Sequence, residues 1–190
     1  MRASQLKLFS NIPFIETERL FLRRMRPSDI DDVYEYASDV EVPKYLLWYP
    51  HPDKSFTKKY LKLIDKKYKK CEFYDWAVTY NGKMIGTCGF TSFDISNNKA
   101  EIGYVLNRFF WGKGLSAEAA RAIITFGFEM LGLNRIEAHF MPDNSASRRV
   151  AEKCGMHFEG VHKEAMLAKG RYIDIEIYAI NYTEYKRLRE

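Results

Sequence analysis

The chain has little cysteine, and none of it is in metal or redox spacing. Its three cysteines, Cys71, Cys88 and Cys154, lie far apart and form no CxxC. That excludes a zinc ribbon and a disulfide-stapled scaffold, and points to reduced thiols in the cytoplasm with no bound metal. No run approaches the ~18 apolar residues of a membrane-spanning helix, and the opening MRASQLKLFSNIPF has no signal-peptide core. A cytoplasmic protein without a membrane partner is expected. No repeat, linker or low-complexity tract interrupts the 190 residues, so one domain spanning 1–190 is expected.

Apolar and aromatic residues are plentiful. A chain that is 46% hydrophobic and 15% aromatic can build one packed core. The net charge of +5 fits a polyanionic partner or an ordinary solvated surface. No motif of the RNA-binding folds is present, and no aromatic run alternates with basic residues as a stacking platform would. A basic RNA-binding module is therefore the weaker alternative, and nucleic acid is not an expected partner.

RLFLRRM (19–25) is rich in strand formers, and Pro27-Ser28-Asp29 starts a helix with Ile30, Val33, Tyr34 and Ala37 on one side. VPKYLLWYPHP (42–52) is a proline-bounded aromatic loop that contains His51. A basic amphipathic helix follows from Asp53 to about Lys70, with Phe56, Tyr60, Leu61 and Ile64 on its apolar side. FYDWAVTY, the turn Asn81-Gly82, KMIGTCGFTSF, DISNN and KAEIGYVL then spell an antiparallel meander. A helix to about Leu131, the strand NRIEAHF, the helix SASRRVAEKCG and a hairpin turning at Lys169-Gly170 complete the chain. Meander, strand–helix–strand and hairpin together predict a mixed-sheet α+β domain.

FFWGKGLSAEAA (109–120) lies between a strand and a helix. A helix start there leaves backbone N–H groups unpaired at the positive end of the helix dipole, which suits a phosphate. A tight turn that uses glycine only for its geometry is the alternative. A Walker A loop is excluded, because Asn107 and Gly114 stand where its first glycine and its hydroxyl belong. The local G-x-G-x-x-A of a dinucleotide fingerprint follows a meander here, whereas the true fingerprint opens the first βα unit of a parallel sheet.

FFWGKG resembles the pyrophosphate loop of the GNAT acetyltransferases, Gln/Arg-x-x-Gly-x-Gly/Ala. RLFLRRMRPSD, EIGYVL, NRIEAHFMPDNSASRRVAEKCGMHFEG and GRYIDIEIY occur in the order of the RimJ/RimL-like, ribosomal-protein N-acetyltransferase branch, over residues 18–180. Phe109 departs from the pattern, standing at the Gln/Arg position with Arg108 one place early.

The resemblance implies a GNAT fold: a mixed, mostly antiparallel sheet with a V-shaped split between two parallel strands, flanked by helices. It implies acetyl-CoA as cosubstrate, with the backbone of Val105 and Leu106 on the pantetheine arm. The loop of Trp111, Gly112, Lys113, Gly114 and Leu115 would hold the pyrophosphate. By similarity Glu101 is the base, Asn144 holds pantetheine and Ser147 protonates the leaving thiolate. Each has a plain alternative: Glu101 as an outward strand residue, Asn144 and Ser147 as a helix start. Arg149 and Lys153 share a helix face that is either solvated or meets the coenzyme's 3′-phosphate. His139 reads as a wall residue, while Asp174 and Tyr178 read as structural. The expected acceptor is a primary amine, either a protein N-terminus (of a ribosomal protein in the nearest branch) or a small molecule. Its pocket would form from the loop 42–52 and the turn 168–171, and a homodimer stays open.

Overall fold

Strand-forming residues with a two-residue period and helix-forming ones with a three-to-four period alternate along the chain, and the elements follow them. The computed structural model describes residues 12–190; the segment 1–11, which holds most of the stretch read for a signal peptide, lies outside the described residues. The elements are β1 (Ile15–Glu16), β2 (Leu20–Arg23), α1 (Ile30–Ala37), α2 (Lys54–Lys69), β3 (Tyr74–Tyr80), β4 (Lys83–Asp94), β5 (Lys99–Leu106), α3 (Leu115–Glu129), β6 (Arg135–Phe140), α4 (Ser145–Lys153), β7 (His157–Ala168), β8 (Arg171–Asn181) and α5 (Tyr182–Arg187).

The strands form one eight-stranded sheet in the order β1-β2-β3-β4-β5-β6-β8-β7. Every neighbouring pair is antiparallel except β5 and β6. The two-residue turn Asn81-Gly82, with positive φ at both positions, joins Tyr80 to its partner Lys83. No helix among the described residues is long and apolar enough to cross a membrane.

Helices cover the middle of the sheet on both sides, which is why β3 and the first half of β4 are buried in runs and not in alternation. Trp76 is wholly buried, its indole donating to the Pro13 carbonyl at 2.7 Å and its ring edge-on to Phe126. Truncating such a side chain typically costs about 3–5 kcal/mol. In contrast, β7 pairs on one side only and is exposed along most of its length.

Two details differ from the periodic pattern. On α1 the buried tyrosine is Tyr36, not Tyr34. On α2 the buried stripe is Thr57, Leu61, Ile64 and Tyr68, while Phe56 lies exposed. The cause is His51: its Nδ1 pairs with the Thr57 hydroxyl at 2.9 Å, and Phe56 and Tyr60 pack on the ring's edges. Burial lowers the pKa of this imidazole. His51 is a packing residue that fastens the loop to α2. The short α5 carries its own signal, a reciprocal cap between Asn181 and Glu184, which the strand-like run before it obscures.

Candidate active site

β5 and β6 run in register from Lys99 opposite Arg135 to Ile102 opposite Ala138, and there the pairing stops. β5 continues to Leu106 along β4, and β6 continues to Phe140 along β8, so the sheet opens into a V. Two cavities meet at this split. One, of about 290 Å³, runs past Val105, Leu106, Gly112, Gly114 and Leu115 to the exposed end of α4. The other, of about 170 Å³, lies toward Glu101, His139 and the β7–β8 arm. Both are lined by Tyr45, Leu46, Tyr104, Asn144 and Ser147. A ligand threaded through the first cavity reaches the second at these five residues.

The loop before α3 presents a row of backbone donors. Gly112 and Gly114 have φ of 75° and 79°, a left-handed geometry that side chains resist. Gly114 is the N-cap, and Glu118 is the first residue whose amide enters the helix ladder, on the Gly114 carbonyl at 3.1 Å. The amides of Gly112, Lys113, Gly114, Leu115, Ser116 and Ala117 have no partner among the described residues. A row of unpaired donors at the positive end of a fifteen-residue helix suits a diphosphate.

The geometry amends several assignments made by similarity. The Trp111 amide is spent on the Arg108 carbonyl at 3.1 Å, so it is not a phosphate donor. Its indole instead donates to the Leu106 carbonyl at 2.8 Å. The Val105 carbonyl points at Gly86 on β4, away from the split. Strand alternation therefore turns the backbone of Tyr104 and Leu106 toward the V, and Val105 contributes its side chain alone. Arg108 is paired with Asp39 at 2.8 Å and Phe109 points into solvent, so neither replaces the Gln/Arg side chain of the pattern. Lys113 lies over the Phe110 ring, at 5.1 Å. Arg149 and Lys153 line the larger cavity, so their helix face is part of the cleft wall.

Glu101 faces the smaller cavity, half-buried, beside a β-bulge of β4 at Thr91. The Ser92 hydroxyl approaches its carboxylate at 3.4 Å. Asn144 caps α4, its Oδ1 accepting from the Ser147 amide at 3.1 Å, which leaves its Nδ2 hydrogens for a ligand. The Ser147 carbonyl accepts from the Tyr104 hydroxyl at 2.9 Å. This bond ties β5 to α4 across the split; burial pushes the Tyr104 hydroxyl's pKa well up, so it stays a donor. Asp174 is held by Lys163 and the Glu164 amide, and Tyr178 stacks on Phe140, both structural.

The loop 42–52 supplies Tyr45, Leu46 and Leu47 to the smaller cavity, as expected. The hairpin contributes through Met166, Ile173 and Ile175 on its arms, and not through its turn. The turn closes the rim instead: Lys169 donates to the Pro43 carbonyl at 2.6 Å and lies over the Tyr49 ring. Among the described residues, no group of three or more His, Cys, Asp or Glu side chains is placed to hold a metal ion.

One fastening was not read from sequence. Glu118, on the first turn of α3, accepts from the Thr17 hydroxyl, the Arg19 amide and the Arg19 guanidinium at 2.6–2.9 Å. Arg19 reaches on to the Lys113 carbonyl at 3.1 Å. Burial alone would raise the pKa of Glu118, but these donors outweigh it and hold the carboxyl below its usual range. The stabilisation is therefore complete above the ordinary carboxyl range of about 4.3, and is lost as pH falls through the lowered folded value. Glu118→Gln is expected to cost about 1–2 kcal/mol at pH 7, read as a lower melting temperature. The deficit should narrow below pH 4, and coenzyme affinity should weaken as the loop loosens. A melting temperature equal to wild type at pH 7 would show the clamp to be idle.

Known proteins agree with this geometry. The family model described as acetyltransferase (GNAT) domain matches residues 19–157. The chain is similar to the uncharacterized N-acetyltransferase p20 of Bacillus licheniformis, 38% identical over 171 residues, covering 89% of this chain and 96% of that one. Among solved structures, a GNAT-family acetyltransferase from Bacillus anthracis superposes with a TM-score of 0.78 at 32% identity, covering 89% of this chain and 98% of that one. The fold is also that of RimL, a ribosomal L7/L12 α-N-protein acetyltransferase solved with coenzyme A, at 24% identity and a TM-score of 0.75, covering 89% and 98%.

Proposed function

The chain belongs to the GNAT acetyltransferases, and from that premise we propose that it acetylates the α-amine at the N-terminus of a polypeptide, a ribosomal protein being the class suggested by RimL. Acetyl-CoA is the acetyl donor. The observation that carries the reading is the meeting of two cavities at the split, one walled by unpaired loop amides and the other by a carboxylate. The residues fit the coenzyme: amides for its pyrophosphate, the Leu106 N–H and the Asn144 amide for its pantetheine, and Arg149 and Lys153 near the far end. No metal is needed in this scheme, and the reaction is placed in the cytoplasm.

Each group then has one task. Glu101, through a water, accepts the proton that the acceptor ammonium must lose. Ser147, at the junction, passes a proton to the departing sulfur. The acceptor type follows from proton cost. An α-amine, with a pKa of about 7.7–8.0, is neutral in roughly one molecule in ten at pH 7, against fewer than one in a thousand for a lysine near 10.4. A glutamate working through water suits the amine that needs least help.

A small free amine is the competing reading, favoured by the modest 170 Å³ of the acceptor cavity and its closed rim at Lys169. Thiol release is to be measured with one lysine-containing peptide whose N-terminus is free or blocked. The free peptide is expected to react at least about a hundredfold faster, following the ratio of neutral amine. Equal rates would overturn the α-amine assignment, and small amines outpacing both peptides would establish the competing one.

A further inference from the structure

We propose that His139 is the second half of the base, taking up the acceptor's proton jointly with Glu101 while Glu137 orients its ring. The inference rests on the acetyl-transfer reading above and adds a residue to it. The parallel register sets Glu101 of β5 directly opposite Glu137 of β6, and His139 follows two residues on, on the same face of the sheet. Its Nε2 lies 3.0 Å from Glu137 Oε2 and its Nδ1 lies 3.5 Å from Glu101 Oε2. His139 and Glu101 both line the acceptor cavity.

The tautomer follows from the partners. Burial would raise the pKa of Glu137, but the Arg135 guanidinium bonded to it at 2.7 Å and the Lys99 ammonium at 3.4 Å hold it low. Glu137 is therefore an ionised acceptor, and the hydrogen between it and the ring sits on Nε2. In the neutral imidazole, Nδ1 is then bare and faces another bare acceptor, the Glu101 carboxylate. Two acceptors turned toward each other are one proton short, and uptake of a single proton converts their contact into a charge-assisted hydrogen bond. The charged groups around the ring are Glu101 and Lys99 from β5, Arg135 and Glu137 from β6, and Glu159 from β7, paired to Arg135. The facing residue of β8 is the apolar Ile177.

The proton balance closes. The acceptor ammonium gives one proton to the Glu101–His139 pair and becomes a neutral amine. Its nitrogen bonds to the thioester carbonyl carbon as the carbon–sulfur bond breaks, and one of its two remaining hydrogens goes to the departing sulfur. The pair then releases its proton to water. An ammonium and a thioester thus become an amide, a thiol and one free proton.

The test is the pH dependence of kcat/KM from pH 6.5 to 9.5 for wild type, His139→Gln, Glu101→Gln and the double variant, on a peptide with a free N-terminus. His139→Gln is expected to lose about 10–100-fold at pH 7. It should come within about threefold of wild type at pH 9.5, where the acceptor amine is already neutral. Acetyl-CoA affinity should not change. The double variant should be no more than about threefold worse than Glu101→Gln, because the two act as one unit. A wild-type profile in His139→Gln, a loss equal at every pH, or multiplying losses in the double variant would each return His139 to the pocket wall. Normal turnover in Glu101→Gln beside a loss in His139→Gln would also overturn the pair. A wild-type protein that acetylates no amine at all would instead remove the reading on which the pair rests.

Discussion

In Gly114→Val, acetyl-CoA is expected to bind at least about a hundredfold more weakly and to raise the melting temperature no further, while the unliganded protein stays folded. The reasoning starts from the backbone. Gly114 caps α3 at a φ of 79°, a conformation that costs an L-residue about 1–2 kcal/mol and a β-branched one more. The space around it is open: an added Cβ would meet only the Arg19 guanidinium, at 3.6 Å. The loop therefore accommodates valine by swinging to a negative φ, and the core beneath is untouched. The swing redirects the amides of Lys113, Gly114 and Leu115. Hydrogen bonds to a charged group are each worth about 1.5–3 kcal/mol, so losing two accounts for a factor of at least a hundred. A thermal-shift titration with acetyl-CoA, read beside circular dichroism of the free protein, checks both halves. Undiminished stabilisation by the coenzyme would mean that the diphosphate is held elsewhere.

The geometry of the loop was legible in the sequence, because glycines at 112 and 114 mark the left-handed positions that the chain needs between a strand and a helix. The meander was legible for a similar reason: Asn81-Gly82 dictates its turn from two residues. What could not be read were bonds that join distant elements. The clamp of Glu118 by Thr17 and Arg19 spans about a hundred positions, and nothing local marks any of the three. His139 looked like a wall residue because its significance comes from the register of β5 against β6, which brings Glu101 within 3.5 Å. The rotated stripe on α2 has the same origin, since Thr57 is turned inward by His51. The backbone of Val105 was misassigned for a subtler cause. A strand at a split presents only alternate residues to the opening, and the phase of that alternation is set by pairing with β4. Resemblance named the strand and left its phase open.

Glu101→Gln is expected to lower kcat by about 10²–10⁴, the usual worth of a general base, with acetyl-CoA affinity within about twofold of wild type. Glutamine keeps the shape of the side chain and its approach to Ser92, so the β-bulge beside it has no reason to move. In the proposed mechanism it removes the negative charge that draws a proton from the acceptor, and with it the carboxylate partner of His139. The coenzyme cleft is lined by other residues, so the loss should fall on turnover and not on coenzyme binding. Ser147→Ala provides the contrast. Water can protonate a thiolate whose conjugate acid has a pKa of about 8.5, so that change should cost only about threefold to tenfold. Steady-state rates for the two variants at saturating acetyl-CoA, with coenzyme affinity measured in parallel, separate the roles. The order of the losses is the diagnostic quantity: if Ser147→Ala were the more damaged enzyme, departure of the thiolate would limit the reaction, and Glu101 would be no more than a charged residue on the wet face of β5.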